Sequence, residues 1–504
     1  LTARITQRLT PVPAKPDRTE ETNMWHDIYL RAVLQPDYSY ATEHLLPHLF
    51  DALTAHALML DGCGVAHAAA AAAHLRSLRE QPFPPYDPRI EDVFFTLDQA
   101  LLQRDPAAAG ALRTALSRND LDMTIYRLSA RLRLMRALAR VLNLRRTLLA
   151  LAEREVDTVI VAYTHHQPAQ PTTLAHYLGA VENNLARDTR RMFGALGRLN
   201  LSPMGAVALG GTSFPIDRER TAQLLAFDGP LENTYDAVSA SDWQVEVAST
   251  ITIASTTLSR VLHDLLFWAS RGLISLEDGL VQGSSVMPQK RNPVALEHAR
   301  TKFSKAIGMT QSVILSSHNV PFGDINDPGP DMQPSLHSMW QEFREGVELL
   351  TASLTAPTID RNAWLFEARQ GESVVTELAD AITRQTGDGF RDAHARIKRL
   401  LAALHAQGRT LSGVTLGDLR EVGVTITEDE LRGALDPAAF IARRTTLGGP
   451  APQVMNPQLQ QAAGRLEADA AQHAQLTRRF MDARTHLHGE PALPAGPPAH
   501  GGTA

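Results

Sequence analysis

The sequence predicts an all-α protein built around a bundle of long helices, and three observations carry that expectation. Ala and Leu dominate the 504 residues while aromatics make up 6%, a composition suited to helix rather than sheet. The long patterns space apolar residues three and four apart instead of two. Leu128 to Val156 sets Leu128, Leu132, Met135, Leu138, Leu142 and Leu149 largely along one stripe, with no Gly or Pro to interrupt it. Similar stretches cover 173–199, 239–270, 293–317 and 335–355. That makes about five long helices, more than a small domain needs.

Pro- and Gly-rich breaks at 80–88, 205–215 and 320–334 separate these patterns and are candidate site loops. The alanine run 68–73 reads as a close-packed or exposed helix turn. After about Asn362 the helices become shorter and more polar. The expected division is an N-terminal helical domain over 1–120, the long-helix bundle over 121–363, a smaller C-terminal helical domain over 364–487, and a disordered Gly-, Pro- and Ala-rich tail over 488–504.

Composition excludes several function classes. Hydrophobic residues make up 44% and charged residues 21%, and no run approaches the roughly 20 unbroken apolar residues of a bilayer-crossing helix. No membrane partner is expected. Forty-nine Lys and Arg against 55 Asp and Glu give a net charge of −6, so no global positive field recruits nucleic acid or anionic lipid. An anionic ligand must be held by a local site. One cysteine, Cys63, excludes an intramolecular disulfide framework, and the opening residues show no apolar secretory stretch, so a cytoplasmic setting is expected. No HExxH or clustered Cys/His spacing points to a metal, and Asp324-Ile325-Asn326-Asp327 lacks the complete calcium-loop pattern.

The most informative stretch is Gly283-Ser284-Ser285-Val286-Met287-Pro288-Gln289-Lys290-Arg291-Asn292-Pro293. Asn292 followed by Pro293 reads as an N-cap and the first helical residue, which points unpaired N–H groups toward the loop. Lys290 adds a positive charge, and Ser284 and Ser285 add hydroxyls on a segment loosened by glycine. Such a set suits a carboxylate or an enolate. His165 precedes Pro168 and Pro171, which forbid regular helix, so it lies on an extended loop feeding the helix from about Thr173.

The string GSSVMPQKRN resembles the signature of the fumarase/aspartase superfamily, whose members eliminate fumarate from succinyl compounds. Ser117-Arg118-Asn119-Asp120, Thr164 to Pro171, Ser202 to Ala206, Gly211 to Arg218, Asp236 to Ser239 and Leu447 to Pro452 resemble the argininosuccinate lyase family in order and spacing. The likeness runs from about Trp25 to about Leu487. It implies a fumarase/aspartase-like long-helix bundle that releases fumarate from an N-substituted L-aspartate by anti β-elimination, with argininosuccinate as the nominal substrate and no cofactor. By the same resemblance Ser284 removes the Cβ proton, Lys290 and Asn292 hold the carboxylate where charge accumulates, and His165, oriented by Glu297, supplies the proton to the leaving nitrogen. Ser117, Arg118, Asn119 and Thr164 grip the carboxylates. The family's members are homotetramers that build each active site from three chains, so a homotetramer with shared sites is implied.

The resemblance departs at Asp324 to Pro334, where the family carries a stretch like Tyr-Asn-Arg-Asp-Leu-Gln-Glu-Asp-Lys-Glu-Pro. The tyrosine position is Asp324, the glutamine Gly329 and the lysine Met332. Loss of the lysine removes a partner for a distal carboxylate, and Asp324 suits an amine or a guanidine. The alternatives are therefore a lyase for another aspartate adduct, such as a diamine carrying succinyl groups, as in ethylenediamine-disuccinate lyases, or a non-catalytic structural relative like the lens crystallins.

Overall fold

The computed structural model describes residues 25–387 and 389–489. Among the described residues the N-terminal part is built mainly from α1 (Gln35–His44), α2 (Leu46–Gly62), α3 (Ala68–Arg79) and α4 (Val93–Arg104), with the shorter Pro106–Leu112 helix after them. In α3, Ala68, Ala71 and Ala72 are buried, so the alanine run is a close-packed turn. Five long helices then make the body of the bundle: α5 (Arg118–Arg154), α6 (Leu174–Leu199), α7 (Asp242–Ser270), α8 (Val294–Ser317) and α9 (Gln333–Thr355). Each covers a stretch that the apolar spacing picked out.

Local chemistry sets several of their starts. Ser117 caps α5 in a reciprocal box with Asp120, and Thr173 accepts the N–H of His176 at 3.1 Å to cap α6. One correction falls on the signature segment. Pro293, not Asn292, is the N-cap of α8, and Asn292 lies in a short strand one residue earlier.

α5 packs on α6 and α9, α7 on α6 and α8, and α8 on α9. Their inner faces share one core with the N-terminal helices, including Leu53, Leu121, Leu144, Leu178, Leu262 and Phe343. Gly346 on α9 permits a close approach to α8, because a Cβ there would lie 2.9 Å from the Phe303 ring. Residues Val374 to Ile441 enclose a second, separate apolar core.

The polar stretch after 441 behaves differently from the expectation of short helices. Pro452–His488 forms a single 37-residue helix, α10, which returns to the main bundle and packs on α5 and α6 through Met455, Leu459, Ala462 and Leu466. The expected 364–487 unit is therefore distributed over two cores. Buried Arg145 of α5 joins three helices here, donating to Glu182 of α6 at 2.8 Å and to Asp469 of α10 at 2.6 Å. His488, assigned above to the tail, ends α10 with its ring 2.6 Å from buried Asp51. The remainder of that tail, 490–504, lies outside the described residues.

Among the described residues six short strands pair antiparallel in three ribbons: β1 (Val159–Thr164) with β2 (Gln167–Thr173), β3 (Ile274–Ser275) with β6 (Thr358–Ile359), and β4 (Gln282–Gly283) with β5 (Arg291–Asn292). Among the described residues no helix is long and apolar enough to cross a membrane.

Candidate active site

The signature segment is a hairpin. β4 and β5 pair Gln282 with Asn292 and Gly283 with Arg291, and the residues between them loop outward. Arg291 anchors the base by donating to the Leu276 carbonyl at 2.8 Å and by pairing with Asp278. At the near end of the loop, Ser284 Oγ accepts the N–H of Val286 at 3.2 Å and of Met287 at 3.0 Å. Two backbone donors converging on one hydroxyl oxygen stabilise it as negative charge grows there. Among the described residues Ser285 has no comparable bonds. Val286 is 83% exposed, and Lys290 is exposed and has no ion pair among the described residues. Glu297 sits in the first turn of α8 and is exposed.

His165 lies on a second hairpin rather than on a simple loop. β1 and β2 pair Thr164 with Gln167, leaving His165 and His166 as the two turn residues, with φ of 51° and 60°. Positive φ at both central positions is the turn geometry that matches strand twist, and histidine is among the few residues that tolerate it. Pro168 and Pro171 are accommodated because this ribbon has only two strands. The tip from Thr164 to Pro168 is exposed. His166 stands edge-on to His263 of α7, with ring centroids 5.9 Å apart. Tyr163 rests against Phe267 and Arg271, so this hairpin sits at the same end of α7 from which the chain runs on to the signature loop.

The opposite end holds the remaining motif. Ser117 Oγ donates to Asn119 Oδ1 at 3.1 Å, and Asn119 Nδ2 donates to the Ala208 carbonyl at 3.2 Å. Asp120, fully buried, accepts the N–H groups of Gly205 at 2.8 Å and Val207 at 2.9 Å, tying the start of α5 to the loop over 203–211. Burial pushes the Asp120 carboxyl up to about 6, against the lowering effect of backbone N–H groups that include those of Val207, Gly205 and Ser117. Sequence reasoning quoted Asp120 without a role; its capping position three residues after Ser117 was the signal.

Arg118 is held by carboxylates of its own chain. Its guanidinium is engaged by Asp92 and by Asp122, the latter at 2.9 Å. Asp324 lines the same cavity, of about 420 Å³, as Arg118, Asp122 and Asp37. The carboxylates at 37, 92, 122 and 331 had no signal in the sequence, since only folding gathers them.

The motif residues lie at two ends of the bundle. No hydrogen bond or ion pair joins His165 to Glu297 among the described residues. The 37 residues of α5 span about 55 Å at roughly 1.5 Å per residue, separating Ser117 from the His165 hairpin. The 24 residues of α8 likewise place about 36 Å between the signature loop and the loop that carries Asp324. Each end of the bundle therefore carries half of the motif set. Among the described residues no group of three or more His, Cys, Asp or Glu is arranged to hold a metal ion.

A long-helix bundle that presents a Gly-Ser-Ser hairpin at one end and a capped Ser-Arg-Asn helix start at the other defines a carbon–nitrogen lyase of the fumarase/aspartase class. Comparisons with known proteins narrow it. Residues 89–308 match the lyase family and residues 372–442 match the argininosuccinate lyase C-terminal family. Argininosuccinate lyase 2 of Agrobacterium fabrum is 34% identical over 496 residues, covering 92% of this chain and 97% of the relative. Argininosuccinate lyase of Methanoculleus marisnigri is 34% identical, covering 86% and 90%. The chain belongs to the argininosuccinate lyase family. Among solved structures, EDDS lyase in complex with formate superposes with a TM-score of 0.83 at 26% identity, covering 90% of this chain and 93% of that one.

Proposed function

We propose that the protein releases fumarate from an N-substituted L-aspartate by anti β-elimination, with argininosuccinate as the nominal substrate after its curated relatives. The observation that carries this reading is the pair of backbone N–H groups on Ser284 Oγ. Serine is a weak base in water and needs such support to take a proton from carbon.

In the reaction Ser284 Oγ removes the Cβ proton, and the electron pair moves into the adjacent carboxylate as an aci-carboxylate dianion. Lys290 and Asn292 hold that charge. The electrons then return to form the Cα–Cβ double bond as the Cα–N bond breaks, and His165 protonates the departing nitrogen. Glu297 orients the imidazole. Thr164, Ser117 and Asn119 position the carboxylates, while Arg118 contributes from within its pairs with Asp92 and Asp122. No cofactor takes part in this scheme.

The same proposal includes assembly. Half-sites some 36 to 55 Å apart on one chain can meet only if copies pack side by side, and a homotetramer with shared sites satisfies this. Ile253 is 43% exposed, Leu315 68% and Phe322 63%, apolar surface that neighbouring copies would cover. The cytoplasmic setting rests on the lone thiol of Cys63 and belongs to this proposal too.

The test is ultraviolet absorbance of released fumarate with argininosuccinate, adenylosuccinate, aspartate and diamine adducts, alongside light scattering. Release from any N-substituted aspartate supports the reading. No fumarate from any of them transfers the weight to a crystallin-like structural role, and a stable folded monomer removes the shared site.

A further inference from the structure

The β1–β2 hairpin carries His165 at its tip, and two strands alone make a marginal structure in water, so the aim of that tip depends on what clamps the ribbon. The ladder is also irregular just behind the tip. Ala162 pairs with Gln170 and Tyr163 with Pro168, which leaves Ala169 as an extra residue. Such a bulge bends a ribbon and re-aims the side chains beyond it. Tyr163 stands at that bend, two residues before His165.

Tyr163 is where the hairpin is gripped. Its hydroxyl donates to Glu367 Oε2 at 3.2 Å and accepts from Arg271 Nη1 at 3.4 Å, while Arg271 pairs with Glu367 at 2.5 Å. The Tyr163 ring stands edge-on to Phe267 of α7, with centroids 5.2 Å apart, and the Arg271 guanidinium lies 5.5 Å from the centre of the same ring. Burial, then the charge of Glu367, raises the Tyr163 hydroxyl above its ordinary value, which keeps it a donor. Glu367 is itself firmly placed. It lies on the helix Arg361–Gln370, where Trp364, one turn earlier, is buried edge-on to Trp268 of α7 at 5.4 Å between centroids. On the opposite strand Gln170 Nε2 donates to Thr376 Oγ1 at 3.1 Å, and Val159 packs against the separate core of 374–441.

Resting on the reading of His165 as the acid, we propose that Glu367, with Arg271 as its counter-ion, is a positioning residue for the elimination, acting through the Tyr163 hydroxyl to set where the imidazole delivers its proton. Neither Glu367 nor Arg271 touches the substrate in this assignment. Releasing the hydroxyl lets the bulged ribbon shift, and a misplacement of about 1 Å at a reacting group can cost about 10²-fold in rate.

The experiment compares Tyr163→Phe, which keeps the ring on Phe267, with Glu367→Gln, which removes the charge at nearly constant shape. Each should lower kcat for adducts of strongly basic amines by about tenfold or more. KM should change by less than about threefold, because Ser117, Asn119 and Lys290 hold the carboxylates from other elements. The loss should be smaller for an aniline adduct, and in the His165→Asn background each substitution should cost less than about twofold, since the group it positions is gone. Hydrogen exchange over residues 159–173 should quicken in both variants. Equal losses for both leaving groups, or losses that persist in full without His165, overturn the positioning role, and unchanged exchange overturns the clamp. Parent-like rates in both variants, with a clear loss in His165→Asn, sink the positioning role alone. Parent-like rates in His165→Asn sink the acid reading and this assignment with it.

Discussion

Ser284 Oγ accepts the backbone N–H of Met287 at 3.0 Å, inside a loop whose other side chains project outward. The bond has no structural burden to carry, since the hairpin is already closed by β4 and β5 and by Arg291. In the proposed reaction it would stabilise negative charge on the hydroxyl oxygen. Ser284→Ala should lower fumarate release by about 10³-fold or more while leaving the light-scattering mass and the helical circular dichroism unchanged. A rate within tenfold of the parent protein would take the base role away from Ser284.

His165 and His166 are held at positive φ, which fixes how His165 is presented from the hairpin tip. Asparagine tolerates the same backbone, so His165→Asn isolates the imidazole from the turn. A general acid contributes about 10² to 10⁴ in rate, and the loss should be of that size for adducts of strongly basic amines. It should shrink for an aniline adduct, whose nitrogen departs with less need of a proton. An equal loss for both leaving groups would show that His165 does not protonate nitrogen.

The reach of the sequence follows from these particulars. Periodicity found α5 to α9 because each buries a long apolar stripe, as with Leu134, Leu138 and Leu142 in α5. It missed α10, where only six of 37 residues are buried and Pro457 interrupts the pattern. It also read the His165 segment as a loop, because Gln167 to Thr173 lacks the apolar alternation of a strand. The signature loop was legible as a contiguous string. The acidic cavity was not, since Asp37, Asp122, Asp324 and Asp331 come from three distant parts of the chain and meet only in the fold.

Two buried histidines give the fold an acid-sensitive side. His56 is fully buried, its Nε2 donates to the Thr114 carbonyl at 3.0 Å, and its Nδ1 has no partner. Burial lowers it to about 4, and His48 likewise. The unfolded chain therefore binds more protons between pH 6.5 and 4, and stability rises with pH across that window. The shift at His56 corresponds to stability on the order of 3 kcal/mol, present above the unfolded value and lost as pH falls through the folded one. Asp120 acts in the opposite sense. Its raised carboxyl favours the folded state at low pH, and that contribution is lost as pH rises toward 6. His56→Gln should flatten the fall in urea midpoint from pH 6.5 to 4, and an unchanged slope would assign the acid sensitivity elsewhere.

Arg145 is fully buried between Glu182 and Asp469, a charged contact shared by α5, α6 and α10. Removing one member of a buried ion cluster leaves its partners uncompensated, a cost of about 3–5 kcal/mol. Arg145→Ala should lower denaturant stability by that amount at fixed chain concentration. Limited proteolysis should then cut first within Pro452–His488, the helix docked late in the chain. Cleavage confined to the 374–441 unit instead would show that α10 is held chiefly by its apolar contacts.

Gly205 ties the loop over 203–211 to the start of α5, where the proposed carboxylate grip lies. Its φ is +86°, and a Cβ there would lie 2.7 Å from Arg218 Cγ and 2.9 Å from Ile216 Cδ1. The left-handed backbone alone costs a non-glycine residue roughly 1–2 kcal/mol, and the clash adds to it. The same residue donates its N–H to Asp120, which also caps the helix start bearing Ser117, Arg118 and Asn119. Gly205→Ala should therefore destabilise the protein by about 2 kcal/mol or more and, in the folded fraction, raise KM for the dicarboxylate with a smaller change in kcat. Destabilisation with an unaltered KM would show that the loop over 203–211 supports the fold without positioning the substrate-gripping residues.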